Sequence, residues 1–302
     1  TMMHEKEAAE VLYRMSAAGT KKIDTDTQSG VSCGTASKMH PSSVKEGKIE
    51  VIADCDGLLK VDSKKLEKVN SFGELMIATR HGNTTVKKGD KLAGTRIIPL
   101  VIKKDKLKEA SNICEYGPIL DIKPFVVRKA AIITTGNEVY HGRIQDAFTP
   151  VIEKKIAEFG SQMMFHEGLD DDDKKITDGC LRAIEAGAEI VFCTGGMSVD
   201  PDDKTPLAIK NTGARIVSYG SPVLPGAMFL LSYYDAGDRL VPICGLPGCA
   251  MYNKRTIFDI VLPRLMARDM IYADELAGLG EGGLCLNCDV CTFPNCGFGK
   301  GF

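Results

Sequence analysis

Apolar residues along this chain follow two rhythms, and the change between them falls near residue 125. In the first stretch Ala8, Val11, Leu12 and Met15 recur at helical spacing among charged residues, which predicts a helix from His4 to Ala18. Thr20 to Ser43 is rich in Ser, Thr, Gly and Asp and reads as a long polar loop. Short β-like runs come next at residues 49–52, 75–78 and 97–102, separated by turn signals at His81-Gly82-Asn83 and Lys88-Gly89-Asp90. The fragment from Val86 to Ala93 suits a strand-turn-strand. Residues 1–124 are therefore expected to hold a helix and a small β-rich domain. Its His40 and His81 read as solvated loop histidines, with no ligand spacing around either.

From Phe125 strands alternate with helices. Residues 130–134, 163–165, 189–193 and 240–243 are apolar runs of strand length. Between and after them, residues 150–159, 172–186, 203–211 and 250–268 carry helical patterns, with Gly160, Gly187 and Gly213 as stop signals. Apolar strands separated by helices predict an α/β fold, a three-layer α/β/α domain on a mostly parallel sheet, over residues 125–272. In such sheets ligands bind beyond the carboxyl ends of the strands.

Composition narrows the classes. A chain of 302 residues, 44% hydrophobic and 26% charged, can build about two globular domains. A net charge of −2, from 38 basic and 40 acidic residues, argues against a general electrostatic grip on nucleic acid or anionic membrane. No apolar run reaches the roughly 18 residues of a membrane span. Thr1-Met2-Met3-His4-Glu5 lacks the basic and apolar regions of a secretory signal. Seven of the 11 cysteines are scattered, most in apolar runs. An odd total without a secretion signal points to a reducing compartment, so a cytoplasmic location is expected.

Three glycine-bearing turns come after predicted strands: Thr134-Thr135-Gly136-Asn137-Glu138, Thr194-Gly195-Gly196-Met197-Ser198, and Gly245-Leu246-Pro247-Gly248, the last placed directly before a predicted helix. Glycine lets backbone N–H groups approach a phosphate, and a helix N-terminus adds a favourable dipole. Acidic residues stand beside these turns: Glu138 and Asp146, the run Asp170 to Asp173, and Asp200, Asp202 and Asp203. The Asp run caps a helix on one reading and holds Mg²⁺ against a phosphate on the other.

Taken in order, these turns together with Gly142-Arg143-Ile144-Gln145-Asp146 resemble the molybdopterin-binding domain of molybdenum-cofactor biosynthesis, over roughly residues 125–268. The resemblance implies a pterin dithiolene phosphate, or its adenylylated form, held with Mg²⁺ at Thr134, Thr135, Gly136, Glu138, Asp146, Thr194, Gly195, Gly196, Ser198, Pro247 and Gly248. It implies metal roles for Glu138, Asp171 and Asp203, and catalytic roles for Asp171 and Asp203. Two enzyme types share this domain, a molybdotransferase and an adenylyltransferase. Residues 201–206, Pro-Asp-Asp-Lys-Thr-Pro, are similar to the adenylyltransferase version and to the competence-damage-inducible relatives, whereas the overall layout looks more like the molybdotransferase. Asn137 stands where the pattern usually has Asp, Ala147-Phe148 where it often has a small residue and Asn, and Leu224 and Ala227 where molybdotransferases carry lysines. A site lacking those cations supports binding or delivery of the cofactor better than catalysis. The fitting partners are a pterin or nucleotide, molybdate, a second copy of the chain or a molybdoenzyme, and neither nucleic acid nor membrane. The rival reading is a non-catalytic sensor or adaptor of a nucleotide-like ligand whose Cys tail docks a partner.

That tail, residues 273–302, places Cys285, Cys288, Cys291 and Cys296 in a C-x₂-C-x₂-C-x₄-C array after the glycines at 278–283. Four such thiols suit Zn²⁺ or an iron–sulfur cluster. The ferredoxin-type array has three residues in its last gap and a proline after its last cysteine, and this one does not. The glycines read as a linker, so the tail is expected to fold independently of the α/β core.

Overall fold

A computed structural model describes residues 1–18, 38–137, 141, 146–198 and 203–301. The chain divides into two compact units, Thr1–Pro124 and Phe125–Phe302.

In the first unit, β1 (Met2–His4) leads into α1 (Glu5–Ala17), where the His4 side chain accepts from the Lys6 amide and starts the helix. The helix buries Ala8, Leu12 and Met15. Seven short strands come after it among the described residues: β2 (Met39–Pro41), β3 (Lys48–Ala53), β4 (Gly57–Val61), β5 (Leu75–Thr79), β6 (Thr84–Val86), β7 (Lys91–Ile97) and β8 (Val101–Lys103). With β9 (Leu120–Lys123) they form the sheets β2-β3-β7-β5, β6-β4-β9 and β1-β8. Helices α2 (Ser63–Asn70) and α3 (Lys104–Asn112) are additions that the apolar pattern did not show, because each has few buried residues among many lysines. Two expectations change. The run 97–102 is split between β7 and β8, and Ile98 and Leu100 are left exposed beside Pro99, which has no N–H for a ladder. The strands flanking Lys88-Gly89-Asp90 join different sheets, so they make no hairpin. His40 lies on β2 with Nδ1 2.7 Å from Asp54 Oδ1.

The second unit is built on a six-stranded sheet in the order β11-β10-β12-β15-β14-β13. Its strands are β10 (Lys129–Thr135), β11 (Gln162–Leu169), β12 (Ile190–Thr194), β13 (Arg215–Tyr219), β14 (Leu230–Asp235) and β15 (Leu240–Leu246). The first four in that order run parallel, and β14 and β13 add an antiparallel edge. Parallel strands buried on both faces read as unbroken apolar runs, and successive side chains here serve opposite cores. Ala130, Ile132, Ile190, Phe192, Cys244 and Leu246 face one core with α4 (Phe148–Ala157) and α7 (Ile257–Met266). Ala131, Ile133, Val191, Cys193, Val241 and Ile243 face the other with α5 (Asp173–Glu185) and α6 (Thr205–Asn211). The three-layer α/β/α architecture with a mostly parallel sheet stands.

The long last helix expected over 250–268 does not form. A 3₁₀ turn at Gly248–Ala250 ends the glycine turn, and α7 starts only at Ile257. The reason is a cap: the Thr256 hydroxyl accepts from the helix, while the Asp259 carboxylate accepts from the Thr256 amide. This reciprocal pair satisfies amides that a continuous helix would leave elsewhere. Asp259 also takes Lys155 and Arg255, and its side chain is 4% exposed.

The tail is not an independent appendage. After α8 (Ala273–Ala277), residues 278–301 fold back on the second unit. Phe298 is 5% exposed and sits in the core with Val261, Leu262 and Leu265. Gly282 (φ +76°) and Gly283 are needed for close backbone approach: a Cβ would lie 2.7 Å from Gly297 O at the first and 2.4 Å from Pro222 O at the second. The glycines read as a linker are packing points.

Candidate functional site at the strand ends

Register places the three glycine turns along one edge. Thr135 pairs with Leu169, Thr134 with Thr194 and Thr194 with Leu246, so the carboxyl ends of β11, β10, β12 and β15 are level. The helix after β10 covers one face and the helix after β12 the other. The ends of β10 and β12 thus lead to helices on opposite faces and flank a topological switch point, the crevice where open α/β sheets bind ligands.

The crevice is shaped by backbone proximity. Gly195 has φ +84°, and a Cβ on it would stand 2.2 Å from the Thr135 carbonyl oxygen. Gly196 has φ +54°, and its Cβ would stand 2.8 Å from Thr205 Oγ1. The two turns are held by hydroxyls: Thr135 donates to Thr194 O at 3.0 Å, and Thr205 donates to Gly195 O at 2.9 Å. Gly136 (φ +135°) donates its amide to Leu169 O at 3.2 Å. Gly248 differs. Its φ lies outside the left-handed region and no atom lies within 4 Å of a built Cβ, so no close approach requires glycine there. With α7 starting nine residues later, the helix dipole expected at this turn is not present.

Thr194 closes β12 with 0% exposure, and its hydroxyl has no hydrogen-bond partner among the described residues. Asp170 Oδ1 is likewise buried without a partner, while its other oxygen takes Lys175 at 2.7 Å. Buried polar atoms in this state cost stability, on the order of 1–3 kcal/mol each. Both lie at the carboxyl edge, one at the last residue of β12 and one directly after β11.

The acidic residues divide the work. Asp146 is a cap: its Oδ1 accepts from the amides of Phe148 and Thr149, and its Oδ2 from the hydroxyls of Thr134 and Thr149. Burial acts to raise its pKa, but the Thr149 hydroxyl and amide, the Thr134 hydroxyl and the Phe148 amide outweigh it, so the carboxyl is held below its usual value. His166, on β11, completes this cluster with Nε2 3.2 Å from Thr134 Oγ1 and 3.4 Å from Asp146 Oδ2. No motif marked His166, since a lone histidine in an edge strand has no spacing to announce it. A carboxyl with a depressed folded pKa contributes stability above its unfolded value of about 4 and loses it as pH falls through the folded value. Melting of the second unit is expected to weaken below about pH 4, and Asp146→Asn should flatten that part of a melting-versus-pH profile.

Asp172 is the N-cap of α5, accepting from Lys174 N and Lys175 N. Asp171 accepts from Asn137 N at 3.1 Å and ties the β10 turn to the loop after β11. Asp203 accepts from the Ser198 hydroxyl at 2.7 Å and holds the turn after β12. Among the described residues no three His, Cys, Asp or Glu side chains gather as an ion site. Asp171 and Asp203, the described members of the Mg²⁺ trio, are each engaged with their own turn. Glu138, Arg143, Asp200 and Asp202 lie outside the described residues. Leu224, in the place of a family lysine, is 55% exposed. No helix among the described residues is long and apolar enough to cross a membrane.

Comparison with known proteins agrees with the motif reading. Residues 131–267 match the family model described as "Probable molybdopterin binding domain". A competence-damage inducible protein of Bacillus velezensis is 29% identical over 90 residues, 30% of this chain and 21% of that protein. Its counterpart in Bacillus subtilis is 30% identical over 88 residues, 29% of this chain and 21% of that protein. The matched stretch thus spans about a fifth of the length of these relatives. Among solved structures, the tungsten cofactor synthesizing protein MoaB from Pyrococcus furiosus aligns at 18% identity and a TM-score of 0.36, over 47% of this chain and 89% of that one. The Mog protein of Mycobacterium ulcerans aligns at 17% identity and a TM-score of 0.36, over 50% of this chain and 99% of that one. The match to the molybdopterin-binding family model thus lies wholly within the second unit.

Proposed function

We propose that the second unit binds molybdopterin, or its adenylylated or molybdenum-loaded form, in the crevice between the β10 and β12 turns, and serves molybdenum-cofactor biosynthesis or delivery. The observation that carries this reading is the buried, unpartnered Thr194 hydroxyl at the carboxyl end of β12, beside the Gly195-Gly196 turn and within the segment that matches the family model. A hydroxyl that costs stability when unsatisfied is retained readily where a ligand satisfies it. The residues present suit an anionic pterin phosphate: Gly136, Gly195 and Gly196 bring backbone close to the crevice, and Ser198 stands exposed at its rim. A pterin phosphate so held would bring the dithiolene that carries the metal. The chain's own residues position it, through Asp171 holding the β10 turn and Asp203 holding the β12 turn. The polar cluster of Thr134, Asp146, Thr149 and His166 fixes the strand end beneath them.

Thr194→Val separates ligand binding from folding. It is expected to leave the second unit as stable or about 1 kcal/mol more stable, because it removes an unsatisfied buried hydroxyl. It should weaken molybdopterin binding by about tenfold, the value of one lost hydrogen bond of about 1.4 kcal/mol. Equilibrium titration of the full chain with molybdopterin, paired with thermal melting, checks both. Unchanged affinity in the variant would remove Thr194 from the site, and no binding by the unsubstituted chain would end the reading.

A further inference from the structure

The four tail cysteines take no part in the crevice, yet the fold gathers them. Cys285, Cys288, Cys291 and Cys296 all line one cavity of about 230 Å³, and Lys254 and Arg255 form part of the same wall. The wall is anchored on every side. The Cys285 amide donates to Leu224 O and the Leu224 amide to Gly283 O, both at 2.8 Å. The Arg255 guanidinium lies over the Phe293 ring, 5.0 Å from its centre, and Lys254 Nζ reaches Asp289 O at 3.3 Å. The last cysteine gap is one residue longer than in ferredoxin-type arrays. Here a turn absorbs the extra residue: Asn295 N donates to Thr292 O at 2.7 Å, and Cys296 returns to the cavity that the other three line.

The size of that space discriminates between metal centres. A structural zinc needs four sulfurs about 2.3 Å from one point. Among the described residues no three such ligands converge on an ion. All four cysteines line a cavity of about 230 Å³, much larger than one ion. A cavity of that size with four cysteines in its lining has room for a four-iron cluster, in which each iron takes one thiolate. The cations in the wall offset the negative charge that a thiolate-ligated cluster carries.

We propose that Cys285, Cys288, Cys291 and Cys296 ligate one [4Fe–4S] cluster, which fills this cavity and clasps the tail to the α/β unit. The proposal does not depend on the pterin reading, and its readout is metal content, not ligand binding. The full chain is reconstituted without oxygen using ferrous iron and sulfide. The expected yield is about four iron and four acid-labile sulfide per chain, with broad visible absorption that dithionite bleaches. The double variant Cys288→Ser/Cys291→Ser alters two exposed positions and should lose most of both while its far-UV circular dichroism is kept. Cys55→Ser, in the first unit, should load fully. One zinc per chain without sulfide after anaerobic purification, iron without sulfide, or full loading of the double variant would each overturn the assignment.

Discussion

Deleting residues 280–302 is expected to lower the stability of the second unit by on the order of 5 kcal/mol, enough to unfold it near physiological temperature. Phe298 alone accounts for much of this: it is 5% exposed, packs in the core with Val261 and Leu265, and lies 6.1 Å from the Phe293 ring. Removing a buried phenyl ring costs about 3–5 kcal/mol. Gly299 adds shape, since its φ of +71° lets the chain pass where a Cβ would meet Ile260 at 2.5 Å. Phe298→Ala should reproduce most of the loss, whereas Leu286→Ala, at a side chain 78% exposed, should change little. Denaturant unfolding of the three variants is the measurement. A truncated chain that melts with the intact one would mean that residues 280–302 do not contribute to this core.

Gly195→Ala is expected to cost the second unit on the order of 3 kcal/mol and to abolish ligand binding with it. An L-residue held at φ +84° is strained by about 1–2 kcal/mol. Its Cβ would in addition stand 2.2 Å from the carbonyl oxygen of Thr135, a backbone atom at the end of the adjacent strand. Backbone has no rotamer to yield, so the ends of β10 and β12 must separate and break the hydroxyl bonds from Thr135 and Thr205. Gly248→Ala is the contrasting control, with an ordinary φ and open space, and should be close to neutral. Gly136→Ala falls between them, strained by φ +135° but with nothing within 4 Å. Equal costs at Gly195 and Gly248 would refute the close approach that forms the crevice.

The three glycine turns looked equivalent as sequence and are not equivalent as structure. Each comes after an apolar strand, and each strand was legible because a parallel strand covered on both faces must be apolar at every position. The turn beyond a strand end is less constrained. Gly195 is required by Thr135, far away in the sequence on the neighbouring strand, whose approach no local pattern records. Gly248 lies in a segment whose helical pattern was real but was cut by a cap, because Thr256 and Asp259 satisfy each other better than a continuous helix would satisfy them. His166 joins the site only because β11 lies beside β10, which is a fact of strand order.

The sequence by itself determined the alternation of strands and helices after residue 125, the α/β class, and the ordered motifs of the segment that matches the molybdopterin-binding family model. Those come from period and from ordered local motifs, which the chain carries wherever it folds. Tertiary structure decided the rest. It made Asp146 and Asp172 caps, set Asp171 and Asp203 to holding separate turns, and left Thr194 unpartnered among the described residues. It also turned a glycine-rich stretch that reads as a linker into the packed neck of a cysteine-lined cavity. Glycine permits both a flexible chain and the closest backbone contact, and which of the two it serves depends on what stands opposite.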